Sequence, residues 1–166
     1  MIIKALKENY NNADYSSARM TTQNKGDWKY GRIEVRAKLP TGLGTWPAIW
    51  MMPTNSVYGV WPNSGEIDIM EHWGANQNYV QSALHTPSSY GGTINHGGQY
   101  ISNATTQFNI FTLEWTPEQM IFSVNGYVHY TYNPESVLGF EQHSKLILHQ
   151  YYHENDAGSH CDEHLS

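Results

Sequence analysis

Basic residues are scarce in this chain: nine Lys and Arg stand against fifteen Asp and Glu over 166 residues, a formal charge of −6. Binding a phosphate backbone draws on clustered Lys and Arg that release counterions. The few here are dispersed, so no nucleic-acid partner is expected. Cysteine is nearly absent, and Cys161 alone excludes an intrachain disulfide framework. No apolar run approaches the roughly 20 residues that span a bilayer, so no membrane partner is expected either. The opening MIIKALKENYNN lacks an apolar segment followed by a small-residue cleavage site and does not read as a secretory leader. Helical periodicity is missing too, since no amphipathic pattern of period 3.6 runs beyond about two turns.

What the chain has instead is aromatic side chains, six Trp and twelve Tyr, and alternation. Its length suits one domain with a real core, and no linker, repeat or low-complexity tract divides it. In GRIEVRAKLP, Ile33, Val35, Ala37 and Leu39 point one way while Arg32, Glu34, Arg36 and Lys38 point the other. FTLEWTPEQMIFSVNGYVHYTY predicts a three-strand meander. Phe111, Leu113 and Trp115 alternate in it, then Met120, Phe122 and Val124, with turns at Pro117 and at Asn125-Gly126. WPAIWMMP predicts a strand buried on both faces, and YVQSALHT another, followed by a loop through PSSYGGTINHGGQY. Strands separated by turn signals, with no helical crossovers, predict an all-β antiparallel sandwich.

One strand is chemically odd. SGEIDIMEHWG places Glu66, Asp68 and Glu71 among Ile67, Ile69 and Met70. Clustering and burying like charges costs free energy unless they are paired or neutralised. Residues i and i+2 share a strand face, so Glu66 and Asp68 point together, while Glu71 at i+5 belongs to the opposite face. A single β-bulge returns Glu71 to the face of the other two. Two carboxylates on one face are what glycoside hydrolysis needs, one to attack the anomeric carbon and one to protonate the leaving oxygen. Repulsion among them raises the pKa of the group that must stay protonated. The bland alternatives are a solvent-facing acidic edge or a cation site. Trp46, Trp50, Trp61, Trp73 and Trp115 nearby favour a carbohydrate site, because apolar rings stack on the C–H faces of sugars. A Ca²⁺ or Mg²⁺ site draws its oxygens from a turn rather than a straight strand.

GEIDIMEHWG resembles the active-site motif of glycoside hydrolase family 16, of the form E-x-D-x-(x)-E, in the β-bulge branch that includes laminarinases and marine galactanases. The resemblance extends through YSSARMTTQNKGDWKYGRIEVRAKLPTGLGTWPAIWMMP and FNIFTLEWTPEQMIFSVNGYVHY, and takes in residues 2–148. It implies a β-jelly-roll with a concave sheet forming an open cleft, and an endo-acting retaining hydrolase of β-1,3- or mixed β-1,3/1,4-glucans. Glu66 would be the nucleophile, Glu71 the general acid/base, and Asp68 the support between them. Trp46, Trp50 and Trp115 match aromatic positions near the site, and Arg32 and His85 match hydrogen-bond donors to sugar hydroxyls. Trp46 is as readily a core tryptophan as a sugar platform, and Arg32 as readily a solvated strand residue paired with an acid. The resemblance implies no cofactor, and no metal is expected. The partner is a polysaccharide, the chain is expected to be a monomer, and family relatives act in the extracellular or periplasmic space.

The chain also departs from the family pattern. It is shorter than family domains, with IIKA resembling an interior strand that starts almost at Met1, so a scaffold incomplete at both ends is expected. Residues 1–148 would be a partial catalytic domain and 149–166 an out-of-family polar tail. His149 stands where the family has a cleft-facing Asn. His153, His160, Cys161 and His164 match no zinc spacing and read as part of a weakly structured end. Agarase, porphyranase or carrageenase activity is the near alternative, though a sulfated substrate would want more Lys and Arg. A non-catalytic β-glucan-binding module or an inactive fragment is the distant one.

Overall fold

The computed structural model describes residues 1–133 and 144–152, with side chains through residue 148. The expectations for the tail ligands lie outside the described residues, and that for the His149 side chain lies outside the described side chains.

Two antiparallel sheets pack face to face, as the alternation predicts. The larger carries β3 (Arg19–Thr21), β4 (Asp27–Trp28), β6 (Thr45–Pro53), β7 (Glu66–Glu71), β8 (Tyr79–His85), β9 (His96–Tyr100) and β13 (Ser144–Tyr152). Its spatial order is β3-β13-β6-β7-β8-β9, with β4 beside β13. The smaller sheet, in the order β12-β11-β10-β5, is built from β5 (Gly31–Ala37), β10 (Asn109–Trp115), β11 (Met120–Val124) and β12 (Tyr127–Tyr132). A hairpin of β1 (Leu6–Tyr10) and β2 (Ala13–Ser16) forms a sheet of its own. The only helical element among the described residues is a 3₁₀ turn at Gly74–Asn76. None of the described helices is long and apolar enough to cross a membrane.

The core lies between the sheets. Ile67 and Ile69 from β7 meet Phe111, Leu113 and Trp115 from β10 and Met120, Phe122 and Val124 from β11, all at most 3% exposed. The Asn125-Gly126 turn takes positive φ at both positions, 52° and 84°, which matches the right-handed strand twist. β6 is buried along most of its length because β13 and β7 flank it in the middle of the larger sheet.

Two sequence expectations are corrected. Residues 2–5, read as an interior strand, hold no strand, and the first one begins at Leu6. The loop read through PSSYGGTINHGGQY contains β9, whose glycines hide its alternation. A Cβ on Gly98 would lie 2.4 Å from the Tyr79 hydroxyl, and one on Gly97 2.8 Å from Tyr130 Cβ. Glycine at these positions lets neighbouring elements close in rather than breaking the strand.

Candidate active site

The expected bulge is present in β7. Against β8, Asp68 pairs with Ala83 and Glu71 with Gln81, so Ile69 and Met70 together face Ser82. Against β6, Trp50 pairs with Asp68 and Ala48 with Glu71. Paired residues share a face, which sets Glu66, Asp68, Glu71 and Trp50 on the side of the sheet turned away from the core.

The carboxylates are held differently. Trp61 Nε1–H donates to Glu66 Oε2 at 2.6 Å, a short bond. Trp46 Nε1–H donates to Glu71 Oε1 at 3.2 Å. His85, paired across the ladder with Glu66, brings Nε2 to 3.1 Å from Asp68 Oδ2, within charge contact but out of line for a hydrogen bond. Asp68 and Glu71 are buried, at 3% and 9% exposure, and Glu66 is partly buried.

Burial pushes all three carboxyls up. Glu66 rises to about 8, through burial first and the Asp68 charge second, with His85 and the Trp61 N–H pulling the other way. Asp68 rises to about 7 through burial, opposed by its hydrogen bond with Glu66. Glu71 lies well above the ordinary range, through burial and then repulsion by Asp68 and Glu66. The cluster therefore retains protons at neutral pH. Short donation to Glu66 favours negative charge at that end, and repulsion from two acids favours the proton at Glu71.

Aromatic rings surround the row. Trp61 packs tilted on His85 at 5.9 Å and edge-on to Tyr90 at 5.5 Å. Trp46 lies 5.9 Å from Trp73. Arg19 of β3 places its guanidinium 5.1 Å over the Trp50 ring, in the cation–π range. Tyr90 and Arg19 are functional candidates that the sequence reading does not select, and Trp61, counted there only among the nearby tryptophans, is the residue that holds Glu66. The position of Trp61 five residues before Glu66 is the available signal.

Arg32 and Trp115 are corrected. Both sit in the smaller sheet, where β5 pairs with β10. Arg32 is exposed and bonds to Glu34 and Glu114, so it is a solvated strand residue paired with neighbouring acids. Trp115 is 1% exposed and meets Tyr30 edge-on at 5.5 Å inside the core. Alternation correctly places its side chain inward, but inward here means the sandwich interior.

Glu66, Asp68 and His85 bring donor atoms within 4.8 Å of one another, the one such grouping among the described residues. A hard cation such as Ca²⁺ wants six or more oxygens, and this trio offers two carboxylates and an imidazole.

The sequence profile of Glycosyl hydrolases family 16 matches residues 4–156. A β-glucanase from Rhodothermus marinus is 44% identical over 140 residues, covering 81% of this chain and 49% of that protein. A glucan endo-1,3-β-glucosidase from Cryptopygus antarcticus is 37% identical over 139 residues, covering 79% of this chain and 51% of that protein. The solved laminarinase from Rhodothermus marinus superposes with a TM-score of 0.85 at 40% identity, covering 89% of this chain and 64% of its own. The chain thus spans about half the length of these curated relatives. With the matched span, the shared sandwich and the carboxylate strand in agreement, this chain belongs to glycosyl hydrolases family 16.

Proposed function

We propose that this chain carries the catalytic machinery of an endo-acting retaining glycoside hydrolase of β-1,3- or mixed β-1,3/1,4-glucans. The observation that carries the reading is the bulged row in which Glu66 and Glu71 share a face, each under its own indole N–H, with Asp68 between them. Glu66 attacks the anomeric carbon once it has released the proton it holds to about 8, a release that the Trp61 N–H favours. Glu71 gives its proton to the departing glycosidic oxygen. The glycosyl ester on Glu66 is then opened by a water whose proton Glu71 takes, which restores both groups. Asp68 shares a hydrogen bond with Glu66 and its charge favours the proton on both glutamates, while the short Trp61 N–H donation works against that proton at Glu66.

Trp46, Trp50 and His85 line the same face and are the proposed sugar contacts, with Trp61 holding the nucleophile. Arg32 and Trp115 have no part in it. The substrate is a long polysaccharide, which cannot enter a cell intact, so the reaction belongs to the extracellular or periplasmic space.

The test is reducing-sugar release from laminarin and lichenan beside a Glu66→Gln control, with the product anomer followed by ¹H NMR. The expected result is release that vanishes in the control, with the β-anomer formed first. Initial formation of the α-anomer would refute double displacement. Binding of laminarin without release by the folded wild type would make this chain a glucan-binding module.

A further inference from the structure

β7 is not the only bulged strand facing Ser82. In the smaller sheet Phe122 pairs with Tyr130 and Ser123 with Val128, so His129 is the extra residue of a second bulge, in β12. A hydrogen-bonded chain joins the two bulges. Ser82 Oγ–H donates to the Ile69 carbonyl at 2.7 Å, and Ile69 is one of the two bulged residues opposite it. With its proton so committed, Ser82 Oγ accepts from His129 Nε2–H at 2.9 Å. His129 Nδ1 is then the acceptor, and Gln99 Nε2 donates to it at 3.2 Å. The same Gln99 amide reaches the Tyr127 carbonyl at 3.5 Å. Each polar atom in the chain has one consistent role, which assigns His129 as the neutral Nε2–H tautomer.

The surroundings fit this reading independently. Ser82 is 0% exposed. Gly97, paired with Ser82 across the β8–β9 ladder, lets β12 approach, since a Cβ there would lie 2.9 Å from the His129 carbonyl. Burial lowers the His129 pKa to about 4, so the imidazole stays neutral wherever a carboxylate pair of this kind works. A bulge disrupts its ladder locally and aims the side chain beyond it. Here that side chain is Glu71.

We infer that Ser82, His129 and Gln99 are positioning residues, a relay from one sheet to the other that anchors the β7 bulge and so fixes where Glu71 stands relative to Glu66. The consequence for turnover rests on the hydrolase reading given above, whereas the consequence for Glu71 itself does not. None of the three touches the face on which sugar would lie. Their loss therefore acts on kcat through the acid/base and leaves substrate binding alone.

The experiment compares Ser82→Ala, His129→Leu and His129→Gln with wild type, and uses Val124→Ala in β11 as a control for general destabilisation. Two quantities are read: kinetics on laminarin, and the ¹³C titration of the Glu71 carboxyl in glutamate-labelled protein. Ser82→Ala and His129→Leu are expected to lower kcat by about tenfold to a hundredfold at unchanged KM, the scale of an ångström-level misplacement. In both, the Glu71 titration moves down toward the ordinary carboxylate range as the side chain gains water and moves off from Asp68 and Glu66, which outweighs the loss of the Trp46 N–H. His129→Gln, which keeps an N–H for Ser82, retains most of both properties, and Val124→Ala leaves the titration in place. A Glu71 titration unmoved in folded Ser82→Ala and His129→Leu, or moved equally in Val124→Ala, would overturn the relay. If wild type releases no sugar while the titration responds as described, the relay stands and the hydrolase reading falls.

Discussion

Glu66→Gln tests the electrostatics of the carboxylate row without any substrate. In the unfolded chain Glu66 releases its proton near 4.5, whereas in the fold it holds it to about 8. Between these values the unfolded state binds fewer protons than the folded one, so stability falls as pH rises. The stability associated with this proton is fully present below pH 4.5 and is lost progressively up to about 8. From pH 5 to pH 7 the Glu66 proton alone accounts for a loss of about 2–3 kcal/mol. Asp68 and Glu71 are shifted in the same direction and steepen the decline.

The amide introduced by Glu66→Gln does not titrate and can still accept the Trp61 N–H. Urea unfolding of both proteins at pH 5, 6 and 7 measures this directly. Wild type should lose at least about 2 kcal/mol more than the variant over that interval. Parallel curves for the two proteins would refute the reasoning, because they would mean Glu66 titrates alike in the folded and unfolded states.

Three further outcomes follow from the same geometry. Trp61→Phe removes the donor at 2.6 Å from Glu66. Hydrogen bonds to charged groups are worth about 1.5–3 kcal/mol, so the acidic limb of kcat/KM on laminarin should move up by about one to two pH units. Arg32→Ala should leave kcat/KM on laminarin unchanged, since its bonds are made on the exposed face of the other sheet. Trp115→Ala opens a cavity against Tyr30 and should lower the unfolding free energy by about 3–5 kcal/mol in urea titrations.

Much of the fold is legible in the sequence because its strands obey period two and their turns carry strong chemistry. Phe111, Leu113 and Trp115 all face inward, as do Met120, Phe122 and Val124. The bulge is legible for a different reason, since Glu71 reaches the face of Glu66 only if one residue is added. What alternation cannot convey is which sheet a strand joins. Arg32 and Trp115 read as neighbours of the acids, yet β5 and β10 lie across the core from them. β9 escapes because Gly97 and Gly98 read as loop residues, when they are there to admit Tyr130 and Tyr79. Trp61 is legible as one of the nearby tryptophans, but its bond to Glu66 is not, because it belongs to the segment before the strand and no periodicity connects that segment to Glu66.

The bulge that makes the carboxylate row possible also creates its main structural cost. An extra residue in a central strand leaves backbone groups out of register where water cannot reach, and a buried carbonyl without a donor is expensive. Ser82 meets one such point, its hydroxyl on the facing strand donating to the Ile69 carbonyl within the bulge. Its own oxygen then needs a partner, and His129 can reach it only because β12 carries a bulge of its own and Gly97 lets that strand come close. Two local irregularities, unrelated in sequence, thus satisfy each other across the sandwich. Repairing either into a regular ladder would strand a polar atom in the other. The irregularity at Glu71 is therefore sustained by residues on β8, β9 and β12 that lie away from the face carrying the three carboxylates.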